Sequence, residues 1–172
     1  MSSLNKNNFL RSLMFYFPTL VLFLAVLNEI DLNYLETEYF SFNFVYILIF
    51  YWTLKNPHYL SYGSIFIAGL VNDVVTGLPI GISSLCYLLI CAVTAYLRNI
   101  TLRPNFMNDW LSLLVTILLV NSIQVMSLDL IFSIDVNYMR YSINSGFTFV
   151  FYPLFLFLFN NLEKRIKTQK ND

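Results

Sequence analysis

The chain has 172 residues, of which 58% are hydrophobic, 18% are aromatic and only 12% are charged, and its mean hydropathy is +0.64. Soluble domains carry roughly a quarter charged residues, so this composition excludes a soluble globular protein with an ordinary charged surface. The formal net charge is zero, and nothing in the composition indicates a nucleic-acid partner. We therefore expect lipid to cover most of the surface.

Apolar segments separated by polar or helix-breaking residues predict an all-α integral membrane protein with six transmembrane helices. About 20 apolar residues are needed to cross the hydrocarbon layer as a helix. The predicted spans cover approximately residues 10–28, 39–54, 59–76, 79–97, 110–130 and 141–160. Together they form a single transmembrane domain over residues 1–172.

Two breaks between the predicted spans carry recognisable signals. Pro57 disfavours a helical conformation at the residue before it, so the second span is expected to end near Asn56. Gly77 suits the position after the last residue of the third span, because glycine adopts the left-handed conformation readily. Pro79 is expected in the first turn of the fourth span.

The distribution of Lys and Arg predicts that both termini lie in the cytoplasm, since cytoplasmic loops are enriched in these residues. With six spans, nine of the ten basic residues fall on one side: Lys6, Arg11, Lys55, Arg98, Arg103, Lys164, Arg165, Lys167 and Lys170. Arg140 alone falls on the other side, together with Glu29, Asp31, Glu36, Glu38, Asp129 and Asp135. One helix more or fewer would scatter these charges over both faces.

The sequence offers little for catalysis. It contains a single histidine, His58, and no Cys-x-x-Cys motif, Gly-rich phosphate loop or carboxylate cluster. Cys86 and Cys91 are five residues apart within one apolar run, which turns them roughly 140° apart on a helix and prevents an intramolecular disulfide. We therefore expect no enzymatic activity, no cofactor and no metal site.

Asp73 is the one acid predicted to lie within the hydrocarbon region, where a carboxylate is costly and hence a functional candidate. Gly69, Asp73 and Gly77 follow at intervals of four, so they stack along one face of the third span with Asn72 beside them. Small residues around the acid would let another backbone approach closely.

Several interpretations of Asp73 remain open at this point. Its carboxylate could pair with Arg140, accept hydrogen bonds from hydroxyl or amide side chains such as Asn121, Gln124 and Asn144, or be protonated. Its role could be to cap the chain where the third helix breaks at residues 77–81, to line a partner-binding groove, or to bind a solute or ion. The candidates for partner binding or helix packing are Gly69, Asn72, Asp73, Gly77, Pro79, Gly81 and Arg140.

Three parts of the chain resemble the bacterial rod shape-determining protein MreD family. Tyr51-Trp52-Thr53-Leu54-Lys55-Asn56-Pro57-His58 is similar to that family's Tyr-Trp-x-Leu-x-x-Pro-His. The spacing of Gly69, Asp73, Gly77 and Gly81, preceded by Gly63 and Phe66, matches its Gly-x-x-x-Asp-x-x-x-Gly-x-x-x-Gly run. The C-terminal part, with Asn144, Gly146, Pro153 and a basic tail, is also similar.

The resemblance implies a non-enzymatic inner-membrane component of the cell-elongation machinery. Such a protein would bind MreC and support an assembly of MreB filaments, RodA and a penicillin-binding protein that directs lateral peptidoglycan synthesis. The resemblance also implies a fold similar to that of the substrate-binding subunits of energy-coupling-factor vitamin transporters. A solute-binding subunit of such a transporter is therefore the alternative function, and it would require a concave pocket lined by convergent polar groups.

Overall fold

The computed structural model describes residues 16–27, 42–100, 105–134 and 136–168, with side chains up to residue 162. These residues form six α-helices and no strand. They are α1 (Tyr16–Leu27), α2 (Phe44–Lys55), α3 (Tyr62–Thr76), α4 (Ile82–Ile100), α5 (Phe106–Phe132) and α6 (Tyr138–Thr168). The acidic stretch from Glu29 to Glu38 and the side chains of the basic tail lie outside the described residues.

Each predicted span overlaps one helix, which confirms an all-helical architecture. Three of the described helical segments are long and apolar enough to cross a membrane: α4, α5 and Tyr138–Leu162 of α6. The other three are apolar but shorter, and the 12 residues of α2 extend about 18 Å at the helical rise, against a hydrocarbon layer of about 30 Å. The number of spans therefore stays a prediction.

The short helix α2 lies at the centre of the structure. Nine consecutive residues, 45–53, are buried, and α4, α5 and α6 all pack against this helix. A helix that is buried on every side is expected to be apolar on every side. The burial of α2 therefore explains why it has no polar face. Asn43 caps its first turn by accepting a hydrogen bond from the backbone N–H of Tyr46 at 3.1 Å.

The predicted breaks are partly confirmed. Helix α2 ends at Lys55, directly before Asn56 and Pro57, and α3 ends at Thr76 with Gly77 in the left-handed conformation at φ +70°. The prediction for Pro79 is wrong, because α4 begins only at Ile82 and Pro79 lies in the preceding turn. The Gly81 and Ser83 N–H groups at the start of α4 donate hydrogen bonds to the Asp73 side chain of α3. This contact sets the first residue of the helix.

Successive helices alternate in direction. One end of the bundle holds the last turns of α2 and α4 and the first turn of α5. There the Lys55 ammonium pairs with the buried Asp109 carboxylate at 2.6 Å, and the Arg98 guanidinium donates to the Thr53 carbonyl at 3.1 Å. Arg140 lies at the first turn of α6, at the opposite end. Among the described basic residues, this separation agrees with the predicted charge distribution.

Candidate functional site

The Asp73 carboxylate joins the end of α3 to the start of α4. Asp73 is fully buried. Its Oδ2 atom accepts a hydrogen bond from the Gly81 N–H at 2.7 Å, and its Oδ1 atom accepts one from the Ser83 N–H at 2.8 Å. The first N–H groups of a helix have no partner within the helix and favour negative charge. Asp73 therefore caps α4 from the neighbouring helix.

This geometry decides between the partners considered for Asp73. Both hydrogen bonds of its carboxylate within the described part of the chain come from backbone N–H groups, so neither the Arg140 pair nor the hydroxyl or amide side-chain donors, two of the alternatives left open, match these contacts. The capping interpretation is the one that the contacts fit. Asp73 and Ser83 are ten residues apart. This separation lets the turn between the two helices fold back, so that the first N–H groups of α4 reach the Asp73 carboxylate.

Gly69 lies where α3 and α4 approach each other closely. A Cβ atom added at this buried glycine would lie 2.4 Å from the Ser84 Cα and 2.6 Å from the Ser84 backbone nitrogen. Real Cβ atoms do not approach backbone so closely, since van der Waals contact between carbon atoms lies near 3.5–4.0 Å. Gly69 therefore serves as a packing surface within the chain.

Two further hydrogen bonds tie the same helices together. The Asn72 side-chain amide donates to the Ser83 hydroxyl at 2.9 Å, and the Ser84 hydroxyl donates to the Phe66 carbonyl at 3.0 Å. With the two bonds of Asp73 and the glycine contact, they hold residues 62–100 as one antiparallel hairpin, which we call the α3–α4 hairpin. Its tip is the turn 77–81.

The sequence-predicted candidates thus lie in three places. Gly69, Asn72 and Asp73 lie between α3 and α4, while Gly77, Pro79 and Gly81 form the tip, where Gly77 and Gly81 have φ values of +70° and +106°. Arg140 lies apart from the hairpin contacts, on α6. The candidates other than Arg140 build the α3–α4 hairpin, and the binding role predicted for all of them stays a prediction.

Sequence reasoning missed Ser83, Ser84 and Asp109. The two serines are buried and supply the α4 side of the hairpin contacts. Two consecutive small hydroxyl residues at the start of the fourth span could have indicated a close helix contact. Asp109 is only 6% exposed, and its partner Lys55 is 54 residues away, so no local pattern connects them.

A cavity of about 300 Å³ opens beside the hairpin, at the end of the bundle opposite Lys55. Every helix contributes to its lining through at least one residue: Ala25, Tyr46, Asn72, Tyr87, Gln124 and Arg140. The hydrogen bond from the Tyr46 hydroxyl to Gln124 Oε1, at 3.0 Å, lies in its wall. The structure thus contains a concave pocket with convergent polar groups.

The described residues hold no group of three or more His, Cys, Asp or Glu side chains that could bind a metal ion. Cys86 and Cys91 are buried and unpaired with each other, as their spacing predicted. His58 is exposed in the turn between α2 and α3.

An apolar interior and an apolar exterior define this chain as a helical membrane protein. Large hydrophobic side chains such as Leu118, Met126, Leu130, Val150 and Phe157 are exposed on the outer faces of α5 and α6, as expected where lipid is the solvent. The family model of the rod shape-determining protein MreD matches residues 8–162. The chain therefore belongs to the MreD family, which confirms the resemblance drawn from its motifs.

No curated protein and no solved structure matches the chain. The similarity to the substrate-binding subunits of energy-coupling-factor transporters accordingly stays a prediction, and the comparisons give no support to the transporter alternative. Membership of the MreD family makes this chain a membrane protein that determines rod shape.

Proposed function

We propose that this rod shape-determining protein is a non-enzymatic scaffold of the bacterial inner membrane that binds MreC. In the same assembly it would act with MreB, RodA and a penicillin-binding protein to support lateral peptidoglycan synthesis. We further propose six spans with both termini in the cytoplasm. Support for this orientation comes from Lys55 and Arg98 at one end of the bundle and Arg140 at the other.

The observation that carries the scaffold proposal is the fixed α3–α4 hairpin. A scaffold needs a surface whose shape does not change, since ordering a flexible surface on binding costs affinity. The capped turn provides such a surface, and it is apolar: Ile80 at the tip is 75% exposed, and Val74 in the adjoining last turn of α3 is 70% exposed. We assign the MreC contact to this tip and to the adjoining face of α3.

Co-purification with MreC tests this assignment. Asp73→Asn removes one acceptor of the cap, and Gly77→Leu forces a branched residue into the left-handed region, which costs about 1–2 kcal/mol. Both variants are expected to recover several-fold less MreC from detergent extracts and to round the cells, while inserting into the membrane normally. Asp129→Asn is the matched control, because Asp129 is an exposed acid at the end of α5.

The result that would contradict the scaffold proposal is equally definite. If both hairpin variants recover as much MreC as the wild type and the cells keep their rod shape, the hairpin is not the contact. If Asp129→Asn loses MreC to the same extent, the effect does not belong to the hairpin.

A further inference from the structure

The cavity opposite the Lys55 end is lined by polar side chains that make few hydrogen bonds within the described part of the chain. The Tyr87 side chain lines the cavity and is only 2% exposed, and its hydroxyl makes no hydrogen bond with any described residue. Gln124 is 9% exposed, and Tyr46 uses its Oε1 atom, which leaves the Nε2 donor without a partner in the described part of the chain. Both atoms are accessible from the cavity, because the Tyr152 hydroxyl is the only fully buried side-chain N or O atom without a partner among the described residues.

Among the described residues that line the cavity, the charge has one sign. Arg140 is the one charged residue among the described residues that line it, and its guanidinium makes no ion pair or hydrogen bond with any of them. Asp73, the nearest buried acid, is committed to the Gly81 and Ser83 N–H groups and does not line the cavity. The described lining therefore combines one exposed cation with hydrogen-bonding groups of Tyr87 and Gln124 that have no partner among the described residues.

We propose that this cavity binds a small oxyanion, a phosphate or carboxylate group, that contacts Arg140 and accepts hydrogen bonds from Gln124 and Tyr87. Guanidinium groups are well suited to both kinds of anion. The volume of about 300 Å³ lies at the lower limit of small-molecule sites. It accommodates a small metabolite or a lipid headgroup.

Titration calorimetry of the purified protein in a neutral, phosphate-free detergent buffer tests the site. The probes are inorganic phosphate, acetate and dihexanoyl phosphatidylglycerol, which separate a free anion from a lipid headgroup. We expect at least one of them to bind with a dissociation constant of about 1 mM or below. Binding of phosphate or acetate identifies a free anion as sufficient, whereas binding of the lipid alone identifies a headgroup.

Three variants connect this binding to the cavity. Tyr87→Phe removes one hydrogen bond to the anion and is expected to raise the dissociation constant about tenfold, and it leaves the fold intact because the hydroxyl has no protein partner. Arg140→Gln is expected to raise it about a hundredfold. Tyr96→Phe is the control, since Tyr96 is on the same helix but 66% exposed and outside the cavity; it should bind like the wild type.

Two results would overturn the proposal: none of the three probes binds to the wild type, or Tyr87→Phe binds as tightly as Tyr96→Phe. The proposal is independent of the scaffold function, because Tyr87→Phe is expected to recover MreC normally. A variant that loses MreC but still binds the anion would count against the scaffold contact alone. A variant that loses anion binding but still recovers MreC would concern the cavity alone.

Discussion

Asp73→Ala is expected to lower the free energy of unfolding by about 3 kcal/mol. The substitution removes two hydrogen bonds to a buried acceptor and leaves the Gly81 and Ser83 N–H groups to be satisfied otherwise. Hydrogen bonds to charged groups contribute about 1.5–3 kcal/mol each, and unpaired buried groups add to the cost. Asp73→Asn keeps one acceptor oxygen, so its loss should be about half as large.

The measurement is unfolding in mixed micelles of a neutral detergent and sodium dodecyl sulfate, followed by circular dichroism. Asp129→Asn is again the control and should stay within about 0.5 kcal/mol of the wild type, as surface substitutions usually do. An Asp73→Ala variant as stable as this control would show that the cap contributes nothing to stability.

Gly69→Ala is expected to be the second most damaging single change, with a loss of about 2–3 kcal/mol. The added methyl group would lie 2.4 Å from the Ser84 Cα, and a backbone atom cannot move aside as the end of a flexible side chain can. The helices α3 and α4 must separate, which weakens the Asp73 cap and the Asn72–Ser83 hydrogen bond. Overpacking of this kind typically costs 1–3 kcal/mol.

Gly146→Ala provides the matched comparison for this prediction. Gly146 is also a helical glycine, but a Cβ atom there would meet nothing within 4 Å. Alanine favours a helix over glycine by up to about 1 kcal/mol, so this variant should be as stable as the wild type or more stable. Equal stabilities for the two alanine variants would contradict the close packing of α3 on α4.

Local chemistry explains why several features could be predicted from the sequence. The ends of α2 and α3 follow from Pro57 and Gly77, whose backbone preferences hold wherever they occur. Asp73 stood out because a carboxylate in an apolar segment needs a partner. In each case the signal lies within a few residues of the structural feature.

Features that depend on distant contacts could not be predicted in this way. The start of α4 is displaced from Pro79 to Ile82 because a side chain of another helix caps it. Apolar composition identifies α2 as a buried helix or a membrane span without distinguishing them, so its central position emerges only from packing. The ion pair of Lys55 and Asp109 joins residues that are 54 positions apart. The hydrogen bond of Tyr46 and Gln124 in the cavity wall joins residues that are 78 positions apart.

The hairpin connects these observations with the proposed function. Asp73, for which the sequence left capping, partner binding and solute binding open, fixes the shape of a turn, and the apolar surface beside that turn is formed by Val74 of α3 and Ile80 of the tip. Substitutions at Asp73 would then act on partner binding indirectly, through the position of the tip. Stability and partner recovery should therefore decline together in the Asp73 variants.

Site-specific photo-crosslinking in growing cells tests the scaffold proposal most directly. A photoreactive amino acid is placed at Ile80 on the tip and, as a control, at Leu118, which is 52% exposed on α5. The proposal predicts an adduct with MreC from position 80 that is strongly reduced when Asp73→Asn is combined with it, and little or none from position 118. An MreC adduct from Leu118 without one from Ile80 would contradict it.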